Sequence, residues 1–312
     1  MKIYRSIVRE PFRPDHQGFV WPPHNNDYPP FDWGVEQDFD RWLLAHPELL
    51  TDNPAEADWN YVPIYLNRYF INTLDSDRHW GGGVPELAAE VARARITGMR
   101  AFTISEGDVY HLYRDIDWGD LTIFIASRRG ERGIDIPLLS ALHPIPDVLP
   151  AKRWLASFIG HTGTDGIRIQ MREALEGRSD CYVKHGNDGP KVFEQTMLES
   201  YIALCPRGQG GQSFRFWEAM QMGVMPLYLS DIDCRPFQGR MPWFDSMIPW
   251  DTCSLWMRSV DECVAFLDNR HPIFECNKDT LLSMGRKAKD IFDNQLGWGK
   301  WCEYVIKELE LL

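Results

Sequence analysis

The sequence predicts an α/β protein of two domains, and three observations carry that prediction. Its 312 residues exceed the size at which a single hydrophobic core keeps growing. Apolar strand-like runs alternate with stretches of helical periodicity along most of the chain, the pattern of a largely parallel sheet. Residues 137–152, PLLSALHPIPDVLPAK, interrupt that alternation with four prolines and no sustained period, as a linker does. The predicted domains are therefore residues 1–150 and 151–312.

In the first domain KIYRSIV (2–8) alternates like a strand, and VEQDFDRWLLAH (35–46) has the apolar spacing of a helix. DWNYVPIY (58–65) reads as the next strand and VPELAAEVARARI (84–96) as a helix that ends at Gly98. RAFTIS (100–105) and LTIFIA (121–126) are two more strands. In the second domain RWLASFIG (153–160) reads as a strand and GIRIQMREALEG (166–177) as a helix closed by Gly177. CYVKHG, KVFEQTMLE and SYIALC (200–205) follow as strand, helix and strand. A glycine-rich loop leads into the helix SFRFWEAMQM and the strand VMPLYL, and the tail from Asn277 is mostly helical, divided by Gly297 and Gly299.

Hydrophobic residues at 44% and aromatics at 13% supply core material for both domains. The net charge of -12 argues against a general nucleic-acid binder, so an anionic small ligand needs a local cluster of arginines. Met1 leads straight into KIYRSIV without the apolar core of a signal peptide, and no window nears 18 uninterrupted apolar residues. Seven cysteines lie scattered through the second half without a CxxC pair, as reduced thiols would. The expectation is a cytoplasmic protein with no membrane span.

The chemistry concentrates in LCPRGQGGQSFRFWEAMQMGVMPLYLSD (204–231). Glycines after Arg207 let the backbone approach a ligand and expose its amides. Ser213 is placed to cap the following helix, whose amides turn their positive end toward the loop. A helix N-terminus with Arg207 before it and Arg215 in its first turn suits a diphosphate. Glu218, three positions after Arg215 on the same face, suits the two hydroxyls of a ribose. Diphosphate plus ribose describes a nucleotide sugar. The plain alternative is a solvated Arg215–Glu218 pair on a helix after a glycine turn.

This stretch resembles the signature of the exostosin-type glycosyltransferases, in which a Cys-Pro-Arg-Gly loop precedes a Ser-Phe-Arg helix. NPAEADWNYVPIY (53–65), IDIPLLS, WLASFIGHTGTDGIRIQMREAL and PFQGRMPWFDSMI (236–248) follow in the family's order, so the likeness covers nearly the whole chain. It implies a GT-B-type enzyme, two Rossmann-like domains facing a cleft, with the C-terminal domain holding a nucleotide-sugar donor. It also implies inversion at the anomeric carbon, usually with a UDP-sugar. Arg207, Ser213, Arg215 and Glu218 carry over as donor-site residues. Gly160 and Arg168 match the family's strand-end glycine and following arginine. The chain is most similar to the soluble bacterial and large-DNA-virus relatives, such as exostosin-like xylosyltransferases of algal viruses. Where many relatives carry Asp-His at the start of an N-domain strand, TGMRAFTIS has Arg100 and Ala101, so no role transfers to that pair.

An inverting transfer needs a base for the acceptor hydroxyl of a glycan. Glu106 and Asp108, in ISEGDVYH after a first-domain strand, are the favoured candidates, with Asp27, Asp75, His79 and His111 behind them. Asp-x-Asp occurs four times, too often in a chain this rich in Asp to mark a metal site, and the arginines already offset a diphosphate, so no metal or cofactor is expected. Trp21, Pro22, Pro23, Tyr28, Phe31 and Trp33 form an aromatic stretch able to line an acceptor site. The alternative function is a nucleotide- or sugar-binding protein that keeps the fold without turnover.

Overall fold

The computed structural model describes residues 1–10, 12–13, 35–66, 69, 84–107, 109, 113–128, 132–139, 142–186, 189–208, 210–231 and 248–312. The chain divides into two compact units, Met1–Ala141 with Trp298–Leu312, and Leu142–Gly297.

In the first unit β1 (Ile3–Arg5), β2 (Leu50–Thr51), β3 (Trp59–Tyr61), β4 (Ala101–Gly107), β5 (Thr122–Ser127) and β6 (Ile134–Asp135) form one sheet. Its order is β2-β1-β3-β4-β5-β6 and every pairing is parallel. All residues of β4 except the last are buried, as expected of a strand covered on both faces. β1 and β3 are shorter than their apolar runs. After β1 the Ser6 hydroxyl turns to Asn60 Oδ1 and the Ala94 carbonyl, each at 2.6 Å. After β3, Pro63 has no N–H for a ladder. Helices α1 (Val35–Leu44) and α2 (Val84–Ala94) fall where the periodicity places them. Phe39 of α1 meets Tyr61 and Phe102 edge-on, with ring centroids 5.2 and 5.8 Å apart.

The second unit runs β7 (Trp154–Gly160), α3 (Gly166–Leu175), β8 (Cys181–His185), α4 (Pro190–Leu198), β9 (Ser200–Pro206), α5 (Phe214–Met222) and β10 (Met225–Leu229). It ends with β11 (Leu255–Met257), α6 (Val260–Leu267) and α7 (Lys278–Ile291). The strands are all parallel in the order β11-β10-β9-β7-β8. β7 has its successor β8 on one side and β9 on the other, so the winding direction reverses between β7 and β9. Loops leaving those two strands diverge, and the crevice at their carboxyl ends is where ligands of such sheets sit. Ala156, Phe158, Ile202, Leu204, Leu227 and Leu229 of the sheet pack with Met171, Leu175 and Phe266 of the helices.

α5 ends on Gly223, which takes a left-handed conformation at φ 70 and donates its N–H to the Met220 carbonyl at 3.1 Å. α7 crosses this cap so closely that a Cβ on Gly285 would collide with the Gly223 carbonyl. Lys289 of α7 adds a bond to the Gln221 carbonyl at 3.3 Å, a cation where the helix dipole favours one.

After α7 a π turn, Phe292–Leu296, leads through Gly297 and Gly299 into α8 (Lys300–Leu311). The sequence reading keeps this last helix with the second domain, whereas its contacts lie with the first unit. Trp301 is fully buried against Phe39 at 6.0 Å, and Trp59 Nε1 donates to the Leu309 carbonyl at 3.1 Å. The proline-rich stretch, from Leu142 onward, belongs to the second unit. Lys152 holds it there through the carbonyls of Leu198 and Ser200 at 2.9 and 2.7 Å. The α/β class with two parallel, Rossmann-like sheets is as the sequence predicts. β2, β6 and β11 escape it because two or three residues show no period.

Candidate functional site

The crevice side of β7 and β9 is closed by Arg168, from the first turn of α3. Its guanidinium donates to the Arg207 carbonyl at 2.7 Å, to the His161 carbonyl at 2.9 Å and to the Pro206 carbonyl at 3.2 Å. All three acceptors follow or end β7 and β9, so one side chain ties the two strand ends together. None of these partners is a carboxylate. Burial first, then the nearby Arg215 charge, pushes the Arg168 guanidinium down to about 10. An anion beside it would relieve both penalties.

Arg207 follows β9 and is held by two carboxylates, Nε on Asp231 Oδ1 at 2.6 Å and Nη1 on Asp165 Oδ2 at 2.5 Å. Burial disfavours its charge, and the bonds to Asp231 and Asp165 outweigh burial, so the group titrates above the usual arginine range. Asp165 also caps α3, accepting from the Ile167 N–H at 3.0 Å. The glycine loop behind Arg207 is tied at several points. Gly208 N–H reaches the Gln212 carbonyl at 3.2 Å, Trp217 Nε1 reaches Gln212 Oε1 at 3.0 Å, and the Tyr228 hydroxyl donates to the Gly211 carbonyl. Ser213 occupies the N-cap position of α5 in extended conformation, as expected, yet its hydroxyl makes no capping bond. Its carbonyl accepts from the Phe216 N–H at 3.0 Å instead.

Arg215 runs back from α5 to the end of β7, where it donates to the Ile159 carbonyl. Its guanidinium lies over the Phe193 ring at 3.9 Å, and Nε stands 3.6 Å from Glu218 Oε2. That Nε is buried without a hydrogen-bond partner. Burial lowers the group below the usual arginine range, with Glu218 opposing. Gly160 makes room for this passage. A Cβ there would stand 3.2 Å from Phe158 Cζ and 3.4 Å from Arg215 Nη2. Gly160→Ala is therefore expected to destabilise the fold by about 1–3 kcal/mol through overpacking. Urea denaturation measures it, and an unchanged midpoint would show that the strand end has room for a methyl.

Glu218 is engaged on its other oxygen by a residue from the proline-rich stretch. His143 Nε2 stands 3.3 Å from Glu218 Oε1, and Nδ1 stands 3.0 Å from Glu194 Oε1 of α4. Burial works against the imidazolium, and the bonds and charges of Glu218 and Glu194 outweigh it, so the ring titrates above the ordinary histidine value.

All six donor-site positions read from the sequence, Gly160, Arg168, Arg207, Ser213, Arg215 and Glu218, thus lie around the carboxyl ends of β7 and β9. Asp165, Phe193, Glu194 and His143 join them unannounced. Only Asp165 had a signal, its place as an N-cap three residues before Arg168. A single His among prolines and a Glu in an amphipathic helix have none.

In the first unit Glu106 lies inside β4, which runs two residues past the predicted RAFTIS strand. It is buried at 6% exposure, and its N–H donates to Glu36 Oε1 at 3.1 Å. Asp108, Asp27, Asp75, His79, His111 and the aromatic stretch Trp21–Trp33 fall outside the described residues. Among the described residues no group of three or more His, Cys, Asp or Glu is placed to hold a metal ion, and no helix is long and apolar enough to cross a membrane.

Residues 36–256 match the Exostosin GT47 domain. The Arabidopsis thaliana protein named Probable beta-1,4-xylosyltransferase IRX10 is 24% identical over 247 residues, covering 65% of this chain and 58% of that protein. A Probable glucuronosyltransferase of Oryza sativa subsp. japonica is 23% identical over 247 residues, covering 65% and 57% respectively. The chain spans a little over half the length of these relatives. The crystal structure of TarM aligns over 83% of this chain and 51% of its own, with 9% identity and a TM-score of 0.42.

Proposed function

The chain belongs to the Exostosin GT47 family, and on that premise we propose that it is a GT-B-type inverting glycosyltransferase using a UDP-sugar. The transfer joins an acceptor glycan hydroxyl to the anomeric carbon as the bond from that carbon to the diphosphate breaks. The hydroxyl proton passes to a carboxylate, and UDP leaves. The observation that carries the reading is the pair Arg168 and Arg215, two partly buried cations anchored on the carbonyls at the ends of β7 and β9, beside a glycine loop at the reversal point of a parallel sheet. Burial disfavours both charges, and the leaving diphosphate is an anion that would offset that cost.

Each donor residue then has a part. Arg168, Arg215 and the first amides of α5 face the diphosphate. Arg207 joins them by exchanging one of its carboxylates for a phosphate oxygen. Asp231, half exposed, is the one free to turn into solvent, while Asp165 stays committed to the α3 cap. Glu218 accepts from the ribose hydroxyls. Glu106 or Asp108 is the base.

The deciding experiment is UDP release from a panel of UDP-sugars without acceptor. Slow hydrolysis of one of them identifies an enzyme and its donor. Tight UDP binding with no hydrolysis, and no transfer to any glycan, would leave a binding protein. Because arginines and helix amides do the electrostatic stabilisation, activity is expected to survive EDTA. Complete loss restored by manganese would overturn that and turn attention to Asp231 and Asp233.

A further inference from the structure

His143 belongs to no helix or strand, yet its side chain is only 5% exposed and lies between two carboxylates on different helices. Neutral imidazole carries one N–H. Facing Glu194 Oε1 on one nitrogen and Glu218 Oε1 on the other, it would satisfy one and set lone pair against lone pair at the second. Only the imidazolium donates to both. We propose that His143 is a positioning residue for Glu218, whose protonated ring fixes the carboxylate that receives the donor ribose. The proposal rests on the ribose reading of Glu218 given above.

The surrounding charges set how the clamp works. Glu194 faces the ring from α4 and Glu218 from α5, while Arg215 of α5 holds the far oxygen of Glu218 at 3.6 Å. Glu218 is thus hydrogen-bonded on Oε1 by His143, while Arg215 offers Oε2 only a longer ion pair. Phe193 lies beside the ring, with centroids 5.4 Å apart, and carries the Arg215 guanidinium on its face. When the ring loses a proton, the remaining N–H stays with the shorter bond to Glu194, and the longer one to Glu218 is lost. The histidine value is raised in the folded protein, so the clamp is complete below the ordinary value of 6.5 and fails as pH rises through the raised one. Affinity for the ribose follows the same direction.

Calorimetric titration of uridine between roughly pH 6 and 9 reads the clamp, and ring NMR of His143 reads its titration. The wild-type protein is expected to lose on the order of 10-fold in uridine affinity as pH rises. His143→Gln is expected to bind weakly at every pH, with a flat profile. Glu194→Gln, whose amide can donate to Nδ1 and leave the ring's one N–H to Glu218, is expected to lower the ring's titration point and to keep uridine affinity as pH rises, flattening the profile. A merely structural contact would not move that profile. Wild-type uridine affinity and pH dependence in His143→Gln would overturn the proposal. So would a ring titrating at the ordinary value. Glu218→Gln separates the two readings. If it binds uridine normally, the ribose assignment falls and this proposal with it. If it is impaired while His143→Gln is not, only the proposal falls.

Discussion

Arg215→Ala is expected to weaken UDP binding by on the order of 10- to 150-fold, the range of a charge-assisted hydrogen-bonded contact. Uridine, which has no phosphates, should lose far less. Arg215→Lys should recover only part of the loss, because an ammonium has no fork to span the Ile159 carbonyl and a phosphate together. The arginine also packs on Phe193, so its removal leaves a gap that softens the site. Comparing the two ligands corrects for that, since softening affects both. Equal losses for UDP and uridine would mean that Arg215 only braces α5 against β7, and the diphosphate assignment would be abandoned.

The second large effect is on turnover. Glu106→Gln keeps the shape of a buried strand residue and removes its ability to accept a proton. If Glu106 is the base, kcat should drop by about 100-fold or more, with donor affinity nearly unchanged. Asp108→Asn is the paired experiment. Normal rates in both variants would place the base elsewhere. The Glu106 N–H that donates to Glu36 Oε1 is main chain and stays in the variant, so a drop in kcat accompanied by a lowered melting temperature would instead trace to the packing of the buried side chain itself.

The elements of the second unit from β7 to β10 were legible because each has a strong local signal, whereas β11 and α6 after them were not read. GIRIQMREALEG carries its own stop at Gly177, and SYIALC is an unbroken apolar run bounded by helix and proline. The donor loop was legible for the same reason, since glycines, a Ser and two arginines sit within nine positions. The partners of those arginines were not. Asp165 lies 42 residues from Arg207 and His143 lies 75 from Glu218, and nothing local links them. Only the strand order brings them to one place. The sequence also assigned the tail by adjacency, whereas the burial of Trp301 beside Phe39 overrides chain order.

The two glycines where α7 crosses α5 have a bearing on that arginine. α5 is nine residues long, so its far cap lies roughly 13 Å from the end that carries Arg215. At the cap, main chain meets main chain with no side chain between, and such a contact has no rotamer to yield. It acts as a hard stop. A short helix moves along its axis as a rod, so the stop fixes the axial setting of Arg215 against Ile159. The alignment of the charged end is thereby set by Gly223 and Gly285, two positions that carry no charge and meet at the opposite end of α5.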